Sequence, residues 1–276
     1  EAQLELGDVA ASLRTARLAV AAASQAGGQE VAAHARVRVA AALVAQDNPR
    51  TAIDELDRAI EAGRTAGDLR VEAEAQRLMG HARQLLGEPV AAAESYGAAL
   101  ACLKTLGAPY EALPLAEARA VALAQAPAGR AGIGAPAVEA YRQATLLAGR
   151  LDDPETERRL ARQLGDLCAA DWPEESVSHY RRSLALSRAA GDEAGSIELL
   201  ARLGATLAQL GRSEEAGRAC EEALVVSRAA HDEGAELRAL VGLSDALASQ
   251  GSQQSAILAA KQALPLATRL GDGEAQ

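Results

Sequence analysis

The feature that most constrains the fold of this chain is an internal repeat with a period of about 40 residues. The segments 64–68, 188–192 and 228–232 share the pattern Arg-x-x-Gly-Asp, with His in place of Gly in the third. Successive equivalent positions are separated by 40, 40, 45, 39, 40 and 40 residues. A fixed period of this length is typical of chains in which each unit is one supersecondary motif. The equivalent positions are Gly28, Asp68, Ala108, Asp153, Asp192, Asp232 and Asp272.

Each unit has the pattern of two amphipathic helices. In the fifth unit, Leu200, Leu203 and Leu207 form the i, i+3, i+7 stripe of a helix with one buried face. Gly211 then ends that helix, and Ser213 can cap the next one. Alanine supplies 69 of the 276 residues and aromatic residues only 2%, which disfavours a β-sheet core. The sequence therefore predicts an all-α fold. Prolines stand at the first turn of three predicted second helices, where they are tolerated: Pro49, Pro89 and Pro173.

Stacked helix pairs bury a continuous core that one pair cannot bury alone. We therefore expect residues 1–276 to form a single α-solenoid. Its third unit carries five extra residues, in a Gly/Pro-rich insertion at 126–136 that should not form a regular helix. This insertion is either a tolerated surface loop or a loop for partner binding or hinge motion. The predicted elements are a leading helix at 8–25 and antiparallel helix pairs at about 29–68, 69–108, 109–153, 154–192, 193–232 and 233–272.

Two units carry small and large residues at offsets typical of a known family. They are Leu203, Gly204, Ala216, Cys220 and Ala223 in the fifth unit, and Met79, Gly80, Ala92, Tyr96 and Ala99 in the second. This pattern resembles the tetratricopeptide repeat (TPR), in the longer form found in kinesin light chain, the Leu-Gly-Asn subgroup and the helical arrays of bacterial signal-transducing regulators. The resemblance implies a right-handed superhelix with a concave groove lined by the first helix of each pair.

Charge and hydropathy exclude several classes of function. The formal net charge is −10 and no Lys/Arg run exceeds two residues, so we expect no nucleic-acid binding. No apolar stretch approaches the roughly 18 residues of a membrane span. The chain starts at Glu1 without a signal peptide, which suggests a segment of a longer cytoplasmic protein. Only two of the 28 basic residues are Lys, and this composition favours a bacterial source.

No cofactor, metal site or catalytic set is predicted. No two of the four histidines are four residues apart, as a helical zinc motif requires, and no GxSxG-type motif occurs. Cys168 and Cys220 fall at inward positions, where free cysteine is typically a small buried apolar residue. Trp172 is either an exposed anchor or partly buried under the following turn. The histidines are His34, His81, His179 and His231, which we interpret as surface or groove residues.

The groove implied by the resemblance is the candidate binding site. Its five arginines outnumber its three acids, and the planar guanidinium suits carboxylates of a partner. The alternative is that these arginines pair with neighbouring acids, as Arg202 would with Glu198 at i, i+4. The groove residues are Arg38, Glu74, Arg77, His81, Gln84, Arg162, Asp166, Arg202, Arg238 and Asp245.

We therefore expect a non-enzymatic interaction scaffold that holds a peptide or helix of a partner protein, and the groove arginines favour an acidic one. Two alternatives remain open. The chain could form homo-oligomers through its ends or convex face, or it could be a sensor for a peptide or small ligand within a regulatory protein.

Overall fold

The computed structural model describes residues 9–126 and 134–271. Within these ranges the chain forms thirteen α-helices and no strand, which confirms the predicted all-α class. The first seven are α1 (Val9–Gln25), α2 (Gln29–Ala45), α3 (Pro49–Ala66), α4 (Leu69–Leu85), α5 (Pro89–Leu106), α6 (Pro109–Gln125) and α7 (Gly134–Arg150). The remaining six are α8 (Pro154–Cys168), α9 (Pro173–Ala189), α10 (Glu193–Gln209), α11 (Ser213–Ala229), α12 (Glu233–Ser249) and α13 (Gln253–Leu270).

The chain divides into two compact units, Glu1–Leu147 and Ala148–Gln276. In each unit, consecutive helices pack as pairs, and first helices of neighbouring pairs also touch, as α2 touches α4 and α10 touches α12. Alanine dominates both cores, with Leu56, Met79, Leu160 and Leu207 among the fully buried larger side chains. A single solenoid over 1–276 with the stated repeat boundaries stays a prediction.

The recurring Gly-Asp sequence has a direct structural cause. Gly67 ends α3 in the left-handed conformation, with φ +70°, which glycine adopts without steric penalty. Asp68 then caps α4, because its Oδ1 accepts hydrogen bonds from the backbone N–H groups of Arg70 and Val71 at 2.9 and 3.1 Å. Asp153, Asp192 and Asp232 cap the following first helices in the same way.

Two boundaries use a residue other than glycine in the left-handed position. Asp152 has φ +58° and His231 has φ +55°. Two first helices lack a side-chain cap, since their N-cap residues are Gly28 and Ala108. The residues at both positions of the Gly-Asp motif thus vary from boundary to boundary, although the chain still turns there in the same way.

The Leu-Gly pair of the family pattern allows a close helix contact. A Cβ atom added to Gly80 would lie 2.6 Å from the ring of Tyr96, and one added to Gly165 would lie 2.6 Å from Tyr180. Both tyrosines are buried, at 4% and 2% exposure, so these contacts belong to the core. In the fifth repeat Cys220 replaces the tyrosine against Gly204, and the contact is looser at 3.1 Å.

The last three residues of the predicted Gly/Pro-rich insertion are helical. Helix α7 begins at Gly134, so residues 134–136, which we assigned to the loop at 126–136, are helical. Pro136 lies in the first turn, where a proline removes no helical hydrogen bond. Residues 127–133 lie outside the described residues, so both interpretations of the loop stay open. Among the described helices, none is both long and apolar enough to cross a bilayer.

Candidate functional site

Three successive first helices, α2, α4 and α6, line an open cavity of about 320 Å³ in the first compact unit. Its apolar lining includes Val37 and Val71, which are at most 8% exposed. Its polar lining includes Arg38, Arg70 and Arg77. The cavity therefore combines a buried apolar surface with guanidinium groups, as a site for an amphipathic ligand requires.

The charges around this cavity are partly paired. Arg77 donates two hydrogen bonds to the Glu74 carboxylate, at 2.6 and 2.7 Å, and these bonds raise the pKa of Arg77. Arg70 lies 3.6 Å from Glu111, and both side chains are more than half exposed. Three arginines thus face two glutamates, so the lining has a positive excess in a chain whose net charge is −10.

In the second compact unit, the predicted groove residues form an ion-pair network between α8 and α10. Arg162 lies 3.1 Å from Glu198, while Arg202 lies 2.8 Å from Glu198 and 2.7 Å from Asp166. Asp166 also accepts a hydrogen bond from the hydroxyl of Tyr180 at 2.7 Å. The hydrogen bond from Arg202 lowers the pKa of Glu198, so the acid is ionised at neutral pH. The pairing with neighbouring acids that we had considered as the alternative is thus present for Arg77, Arg162 and Arg202.

The other predicted residues have separate surroundings. His81 is exposed on α4, and Gln84 accepts a hydrogen bond from the hydroxyl of Tyr96 at 2.6 Å, which ties it to the packing of its own repeat. Arg238 and Asp245 are exposed on α12 and make no ion pair with any described residue. The structure therefore brings Arg38 together with Glu74 and Arg77 at the cavity. It also brings Arg162, Asp166 and Arg202 together around Glu198. Whether these residues bind a partner stays a prediction.

Sequence reasoning missed two features. Arg70 and Glu111 line the cavity. Each lies near the start of its helix, and the predicted groove residues did not include these positions. In the fourth repeat, the ligating atoms of Cys168, Glu175 and His179 all lie within 4.8 Å of one another. The signal was the i, i+4 spacing of Glu175 and His179, which a search for paired histidines overlooks. Trp172 occupies the N-cap position of the same helix, α9, without a side-chain capping bond, and the residue is 37% exposed.

Helix pairs that recur with a period of about 40 residues are characteristic of α-helical repeat proteins. The sequence model of the tetratricopeptide repeat family matches residues 194–269, which lie in α10–α13. Residues 194–269 thus form repeats of the tetratricopeptide type, as the sequence resemblance predicted for this part of the chain.

Two solved structures are similar to this chain. A signal-transduction ATPase with numerous domains and a tetratricopeptide repeat sensor, from Pyrococcus horikoshii, has 17% identity and a TM-score of 0.53 over 86% of this chain and 36% of that one. The chain thus spans about a third of the length of that protein. The apo form of RapI has 12% identity and a TM-score of 0.58 over 97% of this chain and 78% of that one. At these identities the likeness shows the fold alone. The comparison with curated proteins gave no match.

Proposed function

We propose that this chain is a non-catalytic scaffold that binds an extended peptide or helix carrying acidic side chains, within a regulatory or sensor segment of a larger bacterial protein. The cavity between α2, α4 and α6 is the observation that supports this function. The tetratricopeptide sensor of the Pyrococcus protein motivates the regulatory context. Cys102, Cys168 and Cys220 are buried and form no disulfide among the described residues, which suits a reducing cytoplasm.

The cavity offers a mechanism for recognising an acidic peptide. A guanidinium binds a carboxylate through two parallel hydrogen bonds, and such charge-assisted bonds are stronger than neutral ones. The Arg70–Glu111 pair is long and exposed, so it stabilises the free protein little and exchanges readily for a peptide carboxylate. The apolar lining around Val37 and Val71 would hold an aliphatic side chain next to that carboxylate.

The test is selection of peptides from a random display library, followed by measurement of their affinities. We expect the selected peptides to be enriched in Asp and Glu. The triple variant Arg38→Gln/Arg70→Gln/Arg77→Gln should weaken their binding about tenfold or more, because each lost charge-assisted bond is worth roughly 1.5–3 kcal/mol.

A matched variant controls for net charge. Arg50, Arg58 and Arg142 are exposed on the second helices α3 and α7 of the same compact unit. Their replacement by Gln changes the charge equally and should leave affinity unchanged. Selection of basic or neutral peptides, or an equal loss of affinity in both triple variants, would contradict the proposed site.

Self-association is the second candidate function. Helix α13 exposes Ile257, Leu258, Leu264 and Leu270 at 47–60%. Apolar residues grouped on one helix are a common element of protein interfaces. Sedimentation velocity at rising protein concentration should then show a heavier species that Ile257→Gln/Leu258→Gln removes. The control Val225→Gln changes an apolar residue on α11 that is more exposed, at 69%. A constant monomer mass at every concentration would eliminate this candidate.

A further inference from the structure

We propose that the fourth repeat contains a binding site for a divalent transition metal, with Zn²⁺ the best-suited ion, formed by Cys168, Glu175 and His179. Cys168 is the last residue of α8, and Glu175 and His179 lie one turn apart on α9. Their ligating atoms all lie within 4.8 Å of one another. This site lies in the second compact unit and does not depend on the proposed peptide binding.

The packing of a repeat brings two of these positions into contact. Cys168 lies three residues after Gly165, and His179 directly precedes Tyr180, the tyrosine that packs against this glycine. In the second repeat, Arg83 and Ser95 occupy the same positions relative to Gly80 and Tyr96. In the second repeat, Arg83 Nη1 donates a hydrogen bond to Ser95 Oγ at 3.0 Å. The same helix pairing in the fourth repeat therefore places a thiol beside an imidazole.

A repeat does not need ligating residues at these positions in order to pack. The fifth repeat has Leu207 and Ala219 at the positions of Cys168 and His179, and both are buried. The fourth repeat thus has a thiol and an imidazole where the fifth has an apolar contact. The fifth repeat also has a glutamate, Glu215, at the position of Glu175, so it is the thiol and the imidazole that set the fourth repeat apart. Together with Glu175 they bring three potential ligating groups to one place.

The turn between α8 and α9 also differs from the other turns within pairs. Turns 46–48, 86–88, 210–212 and 250–252 have three residues, and each has a residue with positive φ in the middle. The turn after Cys168 has four residues, none with positive φ. The backbone N–H of Trp172 donates a hydrogen bond to the carbonyl of Cys168 at 2.8 Å, and this bond closes the turn.

The chemistry of the three donors suits Zn²⁺. Zinc takes thiolate sulfur, imidazole nitrogen and carboxylate oxygen in a tetrahedron, and a water molecule can fill the fourth position. Thiolate and imidazole donors favour Zn²⁺ over Mg²⁺ or Ca²⁺. Since the thiolate and the carboxylate together carry two negative charges, the divalent ion leaves no net charge in the site.

Binding requires small movements and the release of one proton. The Cys168 thiol lies 3.8 Å from Glu175 Oε2, and the ion would take the place of the thiol proton, which passes to solvent. Metal–ligand distances of about 2.0–2.3 Å would draw the donor atoms closer than they lie now. Cys168 is fully buried, whereas Glu175 is exposed and His179 is partly exposed, so the two α9 side chains can rotate toward the sulfur.

The experiment is titration of the reduced full chain with Zn²⁺ by calorimetry, and with Co²⁺ by absorption spectroscopy. We expect one saturable equivalent of Zn²⁺ and a thiolate-to-Co²⁺ charge-transfer band. Cys168→Ser should abolish the band, and Cys168→Ser and His179→Ala should each weaken binding about tenfold or more. Alanine is the residue that the fifth repeat has at the histidine position, so this variant should keep its helicity.

Control variants distinguish this site from other donors. Cys220→Ser and His81→Ala remove a thiol and an imidazole elsewhere and should bind like the unaltered chain. Absence of saturable binding, absence of the charge-transfer band, or equal affinity in Cys168→Ser would overturn the proposal. In the last case the metal would lie elsewhere, for instance at Glu30, His34 and Asp68, whose ligating atoms also lie within 4.8 Å of one another.

Discussion

Single residues at the repeat boundaries determine where each first helix begins. Asp232 Oδ1 accepts a hydrogen bond from the backbone N–H of Ala235 at 2.9 Å, which satisfies one of the unpaired donors in the first turn of α12. Ala108 occupies the equivalent position before α6 without such a cap. Its backbone, with φ −108° and ψ 67°, is close to that of the capping residue Asp153, with φ −104° and ψ 82°. An aspartate therefore fits at position 108 without strain.

We expect reciprocal effects on stability from these two positions. Asp232→Ala should lower the free energy of unfolding by about 1 kcal/mol, and Ala108→Asp should raise it by roughly 0.5–1 kcal/mol. Urea unfolding followed by circular dichroism measures both changes. Ala108→Leu, which cannot cap, is the control. An equal gain in Ala108→Asp and Ala108→Leu would show that capping is not the cause.

At the scale of helix elements, the close contact between a glycine and a tyrosine sets the distance between paired helices. Because the ring of Tyr96 lies against the backbone of Gly80, no side chain fits between α4 and α5 there. Gly97 of α5 has room, since an added Cβ would lie 3.5 Å from the nearest atom of Arg119. Two glycines in one repeat thus have opposite roles.

Replacement of each of these two glycines by alanine should change the free energy of unfolding in opposite directions. Gly80→Ala should destabilise the protein by about 1–3 kcal/mol, because the ring must move. Gly97→Ala should stabilise it by roughly 0.5–1 kcal/mol through helix propensity. Thermal unfolding of both variants checks this. Destabilisation by Gly97→Ala, or a neutral Gly80→Ala, would refute the assigned contacts.

Part of this organisation is readable from the sequence. The Gly-Asp boundary and the Leu-Gly contact recur because each is made within one turn or one helix pair, so their residues keep a fixed spacing. The pairing of Arg202 could be read only in part: Glu198 lies one helical turn away, whereas Asp166 belongs to the preceding repeat, 36 residues earlier. The spacing within one helix does not show which acid in the neighbouring repeat each arginine meets. For the same reason Cys168 was interpreted as an apolar residue, since His179 lies on the other helix of its pair.

For the molecule as a whole, buried ionisable groups determine stability in alkali. Burial raises the pKa of Tyr180 from 10.0 to about 12, and burial raises that of Cys220 from 9.0 to about 11. As pH rises above 9, the unfolded chain loses these protons first, while the folded chain retains them. The folded state therefore binds more protons in this range, and its stability falls with increasing pH.

We expect the free energy of unfolding to be insensitive to these two groups below about pH 8 and to decline between about pH 9 and 12, through the range of Cys220 and then that of Tyr180. Urea unfolding at a series of pH values measures the decline. The double variant Tyr180→Phe/Cys220→Ala lacks both groups, so its decline should be shallower. An identical slope in the variant would assign the alkaline loss to other groups.

The capping contacts of the boundary aspartates have a consequence for how such a gene can change. The capping hydrogen bonds of Asp68, Asp153, Asp192 and Asp232 reach no further than three residues along the chain. Asp68 and Asp192 also bond His34 and Arg158, which lie 34 residues earlier, but those bonds are not part of the cap. A duplication or deletion that runs from one of these codons to the next leaves every helix start intact. The gene can therefore lengthen or shorten in whole repeats, and natural selection can adjust the number of repeats without having to redesign the turns that join them.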